Sequence, residues 1–153
     1  MPCCSWSAAT PRRPSACARA AELGIDQAVR FAGRRPIEQM PEFMGLAAVL
    51  VSPRAEPLVT PLKIYAYMAS GRPIVATDLP THTDVLDEGS AILVPPTAEG
   101  LAEGIVQVLA DPQRASRLGH EARRKAEQQH TAASLRRKLL DAYAFIERAQ
   151  ADQ

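Results

Sequence analysis

The stretch AVLVSPRAEPLVTPLKIYAYMASGRPIVATDLPTHTDVLDEGSAILVPP, residues 48–96, alternates short apolar runs with segments of helical pattern. AVLVSP (48–53) is a continuous apolar run stopped by Pro53, as expected of a strand buried on both faces. PIVATD (73–78) and AILVP (91–95) repeat that reading. Between the first two, Thr60 and Pro61 form an N-cap and first-turn pair for PLKIYAYMAS (61–70), and Gly71 closes the helix. PTHTDVLDEG (80–89) reads as a short helix or turn ending at Gly89.

The rhythm extends outward. Upstream, SACARAAELG (15–24) reads as an Ala-rich helix with Ser15 as N-cap and Gly24 past its end. AVRFAG (28–33) reads as a strand ending at Gly33, and Pro36 opens a helix that Pro41 must kink or divide. Downstream, Thr97 caps AEGLAEGIVQVLAD (98–111), where Leu101, Ile105, Val108 and Leu109 recur at helical spacing. Asp111-Pro112 breaks that helix and starts another through QRASRLGHEARRKAEQQ (113–129). The final helix, Thr131 to about Gln150, carries a stripe of Leu135, Leu139, Ala142 and Ile146, flanked by Leu140 and Tyr143, that requires a partner surface. Strands separated by helices imply an α/β fold: a Rossmann-like parallel sheet with helices on both faces and a closing C-terminal helix.

Composition narrows the class. The chain has 153 residues, 46% hydrophobic and 23% charged, which fits one soluble domain. Its formal charge of +1 gives no global argument for nucleic acid. Cys3, Cys4 and Cys17 lie near the N-terminus, an odd count that suits neither a disulfide framework nor a structural zinc site. Residues 1–14, MPCCSWSAATPRRP, stand apart as an irregular or disordered segment without the continuous apolar run of a signal peptide. Residues 15–153 form the domain, and the expected location is cytoplasmic.

In an open parallel sheet, ligands gather where the carboxyl ends of strands lead into helices. The longest such loop, SPRAEPLVTP (52–61), runs into the helix begun at Thr60. The free N–H groups of Leu62 and Lys63 at that start make a natural anion site. Lys63 adds a cation where the helix dipole disfavours one, a placement that an anionic ligand would compensate. The alternative is a lysine pointing into solvent. No Walker-type loop, no G-x-G-x-x-G and no Ser/His/Asp arrangement is present, which disfavours a dinucleotide oxidoreductase.

Residues 51–96, extended upstream through VRFAGRR (29–35) and downstream through ADPQRASRLGHEAR (110–123), resemble the donor-binding core of GT4-like glycosyltransferases. The shared features are a strand ending in Ser-Pro, a loop, a helix ending in Met-Ala-x-Gly, and a strand of the PIVATD kind. That resemblance implies the C-terminal lobe of a GT-B fold, which holds a nucleotide-sugar without a bound metal or other cofactor. It places Thr60, Pro61 and the backbone of Leu62 and Lys63 at the donor diphosphate, and Gly33, Arg34 and Arg35 along the base. It also exposes two departures: Leu58 and Ala66 stand where the family places carboxylates that hold the donor sugar and the ribose. Glu56 is near but out of register. A third departure is the expected first strand and its basic residues, which should precede Ala18 and are not matched by Arg12 and Arg13.

The expected function is therefore that of a glycosyltransferase donor lobe whose acceptor-binding N-terminal lobe is absent, inactive in transfer by itself. The alternative is a degenerate, non-catalytic α/β module that binds a protein partner through its cleft face and final helix. The missing carboxylates favour the second; the TPLK helix start favours the first. His82 reads as a turn or capping residue ahead of a donor contact, and His120 and His130 as solvated. The basic residues from Arg114 to Lys138 read as a solvated face ahead of a weak peripheral contact with the membrane's inner face.

Overall fold

A computed structural model describes residues 16–56 and 59–151, in two compact units, Met1–Met40 and Pro41–Gln153. The expected cap at Ser15, the segment 1–14 and the departure at Leu58 lie outside the described residues.

In the first unit, helix α1 (Ala16–Glu22) ends as its sequence requires. Gly24 adopts φ 67° and its N–H reaches the Ala21 carbonyl at 3.0 Å, a left-handed close that costs glycine no Cβ strain. The strand expected over 28–33 does not form. Ala28 instead donates to the Ile25 carbonyl (2.9 Å) in a turn, and no ladder partner exists for the run among the described residues. Apolar alternation makes a strand only where a neighbour accepts its backbone bonds. The helix expected from Pro36 is divided, as Pro41 demanded: a 3-10 turn at Ile37–Gln39 precedes α2 (Met40–Leu46). Pro41 then falls in the first turn of α2, where a missing N–H costs nothing.

The second unit carries a parallel sheet of β1 (Leu50–Ser52), β2 (Ile74–Thr77) and β3 (Ile92–Val94), in that spatial order. Leu50 pairs with Ile74, and Val75 with Ile92. Alternate residues therefore sort onto two faces. Ile74 and Ala76 face α3 (Lys63–Ser70) in one core with Ile64, Met68 and Leu86. Val75, Ile92 and Val94 face α5 (Ala98–Ala110) in a second core with Val108 and Leu118. Each large apolar side chain buried in these cores contributes roughly 1.5–3 kcal/mol. Helix α6 (Pro112–Gln129) serves both: Ala115 and Leu118 join the second core, Ala122 and Ala126 the first. Helices thus cover both faces, as the alternating sequence implied.

The cap read from sequence at α5 is in place, and Asp111, read as a helix break, also caps α6. The Thr97 hydroxyl accepts from Gly100 N–H at 3.0 Å, and the Asp111 carboxylate from Arg114 N–H at 2.9 Å. Gly71 closes α3 at φ 71°. Helix α7 (Ala132–Ala151) starts on a Thr131 cap (Ser134 N–H, 3.1 Å), and its stripe stays open: Leu135, Leu139 and Ile146 are 60%, 50% and 49% exposed.

Candidate functional site

At the carboxyl edge of the sheet the chain leaves β1 through Ser52, Pro53 and Arg54. Arg54 N–H donates to the Thr77 hydroxyl (3.2 Å), which pins the start of the long loop against the end of β2. The loop returns through Thr60 and the buried Pro61 into α3. The start of α3 differs from the expected cap. The helix begins at Lys63 with Leu62 in the cap position, and no side chain caps it. Ile64 N–H bonds the Pro61 carbonyl (2.9 Å) and Tyr65 N–H the Leu62 carbonyl (3.2 Å), so a tight i→i+3 turn precedes the α-helix and displaces Thr60 from the cap. The N–H groups of Leu62 and Lys63 have no acceptor among the described residues.

Two cations meet at this edge. Burial lowers the Lys63 pKa from its ordinary 10.5, and the positive charge of Arg54 lowers it further. Neither Lys63 nor Arg54 forms an ion pair among the described residues. The Lys63 ammonium lies 5.7 Å from the centre of the Tyr67 ring, a cation–π contact. Arg54 is the residue that sequence reasoning missed. The available signal was a basic side chain two positions beyond the last strand residue, at the edge where ligands gather.

His82, read from sequence as a turn or capping residue, lies on the short helix α4 (Pro80–Thr83) and is fully buried. Its Nδ1 lies 2.8 Å from the Thr77 carbonyl and 3.2 Å from the Thr77 hydroxyl, and its Nε2 lies 3.0 Å from Ser52 Oγ. A carbonyl only accepts, so Nδ1 carries the proton and Nε2 accepts from the Ser52 hydroxyl. Burial lowers the His82 pKa, the Thr77 bond opposes this, and the charges of Lys63 and Arg54 lower it further. The neighbouring Thr81 hydroxyl is a buried side-chain atom without a partner among the described residues.

The other expected positions fall as follows. Ala66 is exposed on α3, with no carboxylate in its place. Gly33, Arg34 and Arg35 belong to the first unit, where Gly33 takes φ 69° and Arg35 Nε donates to the Ala32 carbonyl at 2.8 Å. Glu56 lies in an exposed bend. His120 is exposed, and the His130 ring rests 5.0 Å from that of Tyr65. Three of the basic residues on α6 are paired: Arg123 with Glu127, Arg124 with Glu121, and Lys125 with Asp87. Among the described residues no His, Cys, Asp or Glu group converges as a metal site, and no helix is long and apolar enough to cross a membrane.

Residues 7–111 match the family model of the group 1 glycosyl transferases. The chain belongs to that family. This glycosyl transferase lobe also resembles solved structures across most of its own length. HepE of Anabaena, crystallised with UDP, matches at a TM-score of 0.76 and 20% identity, over 83% of this chain and 35% of that one. Sucrose-phosphate synthase of Thermosynechococcus elongatus matches at 0.73 and 27% identity, over 86% of this chain and 33% of that one. A glycosyltransferase of Rickettsia africae matches at 0.74 and 19% identity, over 85% and 35%. The chain thus spans about a third of the length of these relatives. No curated protein matches it.

Proposed function

We propose that this glycosyl transferase domain is the donor-binding lobe of a GT-B enzyme and holds the diphosphate of a nucleotide-sugar at the start of α3. The observation that carries the reading is the meeting of two cations, Lys63 and Arg54, with the N–H groups of Leu62 and Lys63, the cations without ion pairs and the N–H groups without acceptors among the described residues. Like charges held together at a helix start repel one another and oppose the helix dipole, and a bound diphosphate reverses both costs. Charge neutralisation by these groups requires no divalent metal. Thr60 and Pro61 shape the turn. UDP is the first nucleotide to test, because HepE was crystallised with it.

Transfer itself requires an acceptor-binding lobe, with residues 15–153 forming only the donor half. The open stripe on α7 suits a covering surface, whether that lobe or a protein partner. A second reading, a degenerate module serving a protein partner, is favoured by Ala66, which cannot accept ribose hydroxyls. Calorimetric titration with UDP, GDP and ADP tests the main reading. Saturable binding with preference for one base supports a donor lobe. Absence of binding by a folded chain overturns it in favour of the module.

A further inference from the structure

The geometry points to His82 as a positioning residue that sets the diphosphate grip by fixing Arg54 through Thr77. The inference rests on the donor-lobe reading above and deepens it. His82 holds both strand ends, at Ser52 and Thr77, between which the start of the loop that leaves β1 is suspended. Its Nε2 engages Ser52, two residues before Arg54, at 3.0 Å. Its Nδ1–H is shared between the carbonyl (2.8 Å) and hydroxyl (3.2 Å) of Thr77. The same Thr77 hydroxyl accepts the Arg54 N–H at 3.2 Å. Two of the three side chains in this relay are fully buried and the third nearly so, with Ser52 and His82 at 0% exposure and Thr77 at 1%. Water therefore cannot replace a lost bond without opening the core.

The hydrogen-bond roles follow in sequence. With the imidazole proton directed at Thr77, the hydroxyl of that residue acts as acceptor towards both His82 and Arg54. Removing the ring frees the threonine hydroxyl to rotate and donate to its own strand's carbonyl region, and the Arg54 N–H loses a fixed acceptor. The backbone of α4 also depends on residue 82, since Val85 and Leu86 N–H groups bond its carbonyl at 3.0 and 2.8 Å. Those bonds survive any side-chain change. The side chain is thereby separable from the helix that carries it.

Three variants and one cycle test this on the full chain, with UDP and UMP as probes. His82→Asn restores an amide donor near the Nδ1 position; His82→Leu restores none. Loss of the ring's buried, uncharged hydrogen bonds to Thr77 and Ser52 predicts about a 3- to 10-fold weaker UDP affinity for His82→Leu, with UMP affinity changed less and His82→Asn recovering most of the loss. In an Arg54→Ala background, His82→Leu should cost nothing further, since the backbone N–H that the relay holds then carries no guanidinium to place. Circular dichroism and thermal unfolding establish that each variant is folded, and His82→Gln replaces any that is not. Equal UDP affinity for His82→Leu and the natural chain, or additive losses in the cycle, overturns the positioning role. A natural chain that binds neither UDP nor any other diphosphate overturns the donor-lobe reading itself, a distinct outcome.

Discussion

Gly119 is the position where one methyl group should do most harm. It lies on α6 against the turn that ends α3, and a Cβ there would stand 2.2 Å from the Gly71 carbonyl oxygen, 3.0 Å from its carbon and 3.1 Å from the carbonyl carbon of Arg72. All three atoms are backbone, so no side chain can swing aside. The turn cannot yield easily, because Gly71 holds a left-handed cap and Arg72 leads directly into β2. Overpacking costs typically 1–3 kcal/mol, and contact with rigid backbone puts Gly119→Ala near ~3 kcal/mol. Replacing a helical glycine by alanine returns about 1 kcal/mol of helix propensity. The net loss is then about 2 kcal/mol, which for a domain of this size lowers Tm by about 4–8 °C. Thermal unfolding followed by circular dichroism reads this directly. Gly45→Ala is the control: nothing lies within 4 Å of its Cβ position, and it should leave Tm unchanged or raise it. A Gly119→Ala variant as stable as the Gly45→Ala control would refute the close approach of α6 to the α3–β2 turn.

Leu62 has φ −55°, which proline shares, and its N–H has no acceptor among the described residues. Leu62→Pro should therefore fold normally and bind diphosphate less tightly, by about 3- to 10-fold in titration; unchanged affinity in a folded variant counts against this site. Stability should fall with acid. His82 and His130 have pKa values below 6.5, so the folded state resists a proton that the unfolded chain accepts. Their contribution is complete above pH 6.5 and is lost as pH drops below it. Asp87, lowered from 3.8 chiefly by its hydrogen bond to Lys125, adds a loss at still lower pH. A urea midpoint at about pH 5.5 equal to that at about pH 7.5 would contradict this. Leu139→Lys, on the open stripe of α7, should change Tm by about 2 °C or less, since exposed substitutions stay near ±0.5 kcal/mol. It should also reduce any concentration-dependent mass increase in sedimentation, and a large drop in Tm would show instead that the stripe is packed.

What was legible in the sequence were the features whose cause is local. Thr97 caps its helix because its side chain needs only the N–H three residues ahead. Gly71 ends α3 because left-handed backbone suits glycine. The runs at 50–52, 74–77 and 92–94 became strands because each had a neighbour with which to share backbone bonds. AVRFAG carries a similar apolar signal and is not a strand, since pairing is a property of two segments. Thr60 was misplaced as a cap for a related reason. A tight turn inserted before α3 is set by the bonds of Pro61 and Leu62, and the residue types do not announce it. At the site, Leu62 and Lys63 could be named from the helix start alone. The role of His82 could not, because Ser52 lies 30 residues away along the chain and meets it only through the sheet.

The last two helices show why pattern alone does not decide burial. Both α6 and α7 are amphipathic, yet their inward residues differ in size. The buried side of α6 is built largely from Ala115, Gly119, Ala122 and Ala126, with Leu118 as its one large member. Small residues allow the helix backbone to approach α3 and the turn at Gly71 closely, so the contact is made largely by backbone surface and little side-chain entropy is lost. The stripe of α7 consists of Leu135, Leu139 and Ile146, flanked by Tyr143 and Phe145, all of them exposed. Large side chains of this kind need a facing groove rather than a close backbone, and covering them would contribute several kcal/mol. The lobe's own surfaces are already matched in size by α3, α5 and α6. The mismatch in side-chain volume, more than any mismatch in hydrophobicity, is what leaves α7 outside the core and available to a different surface.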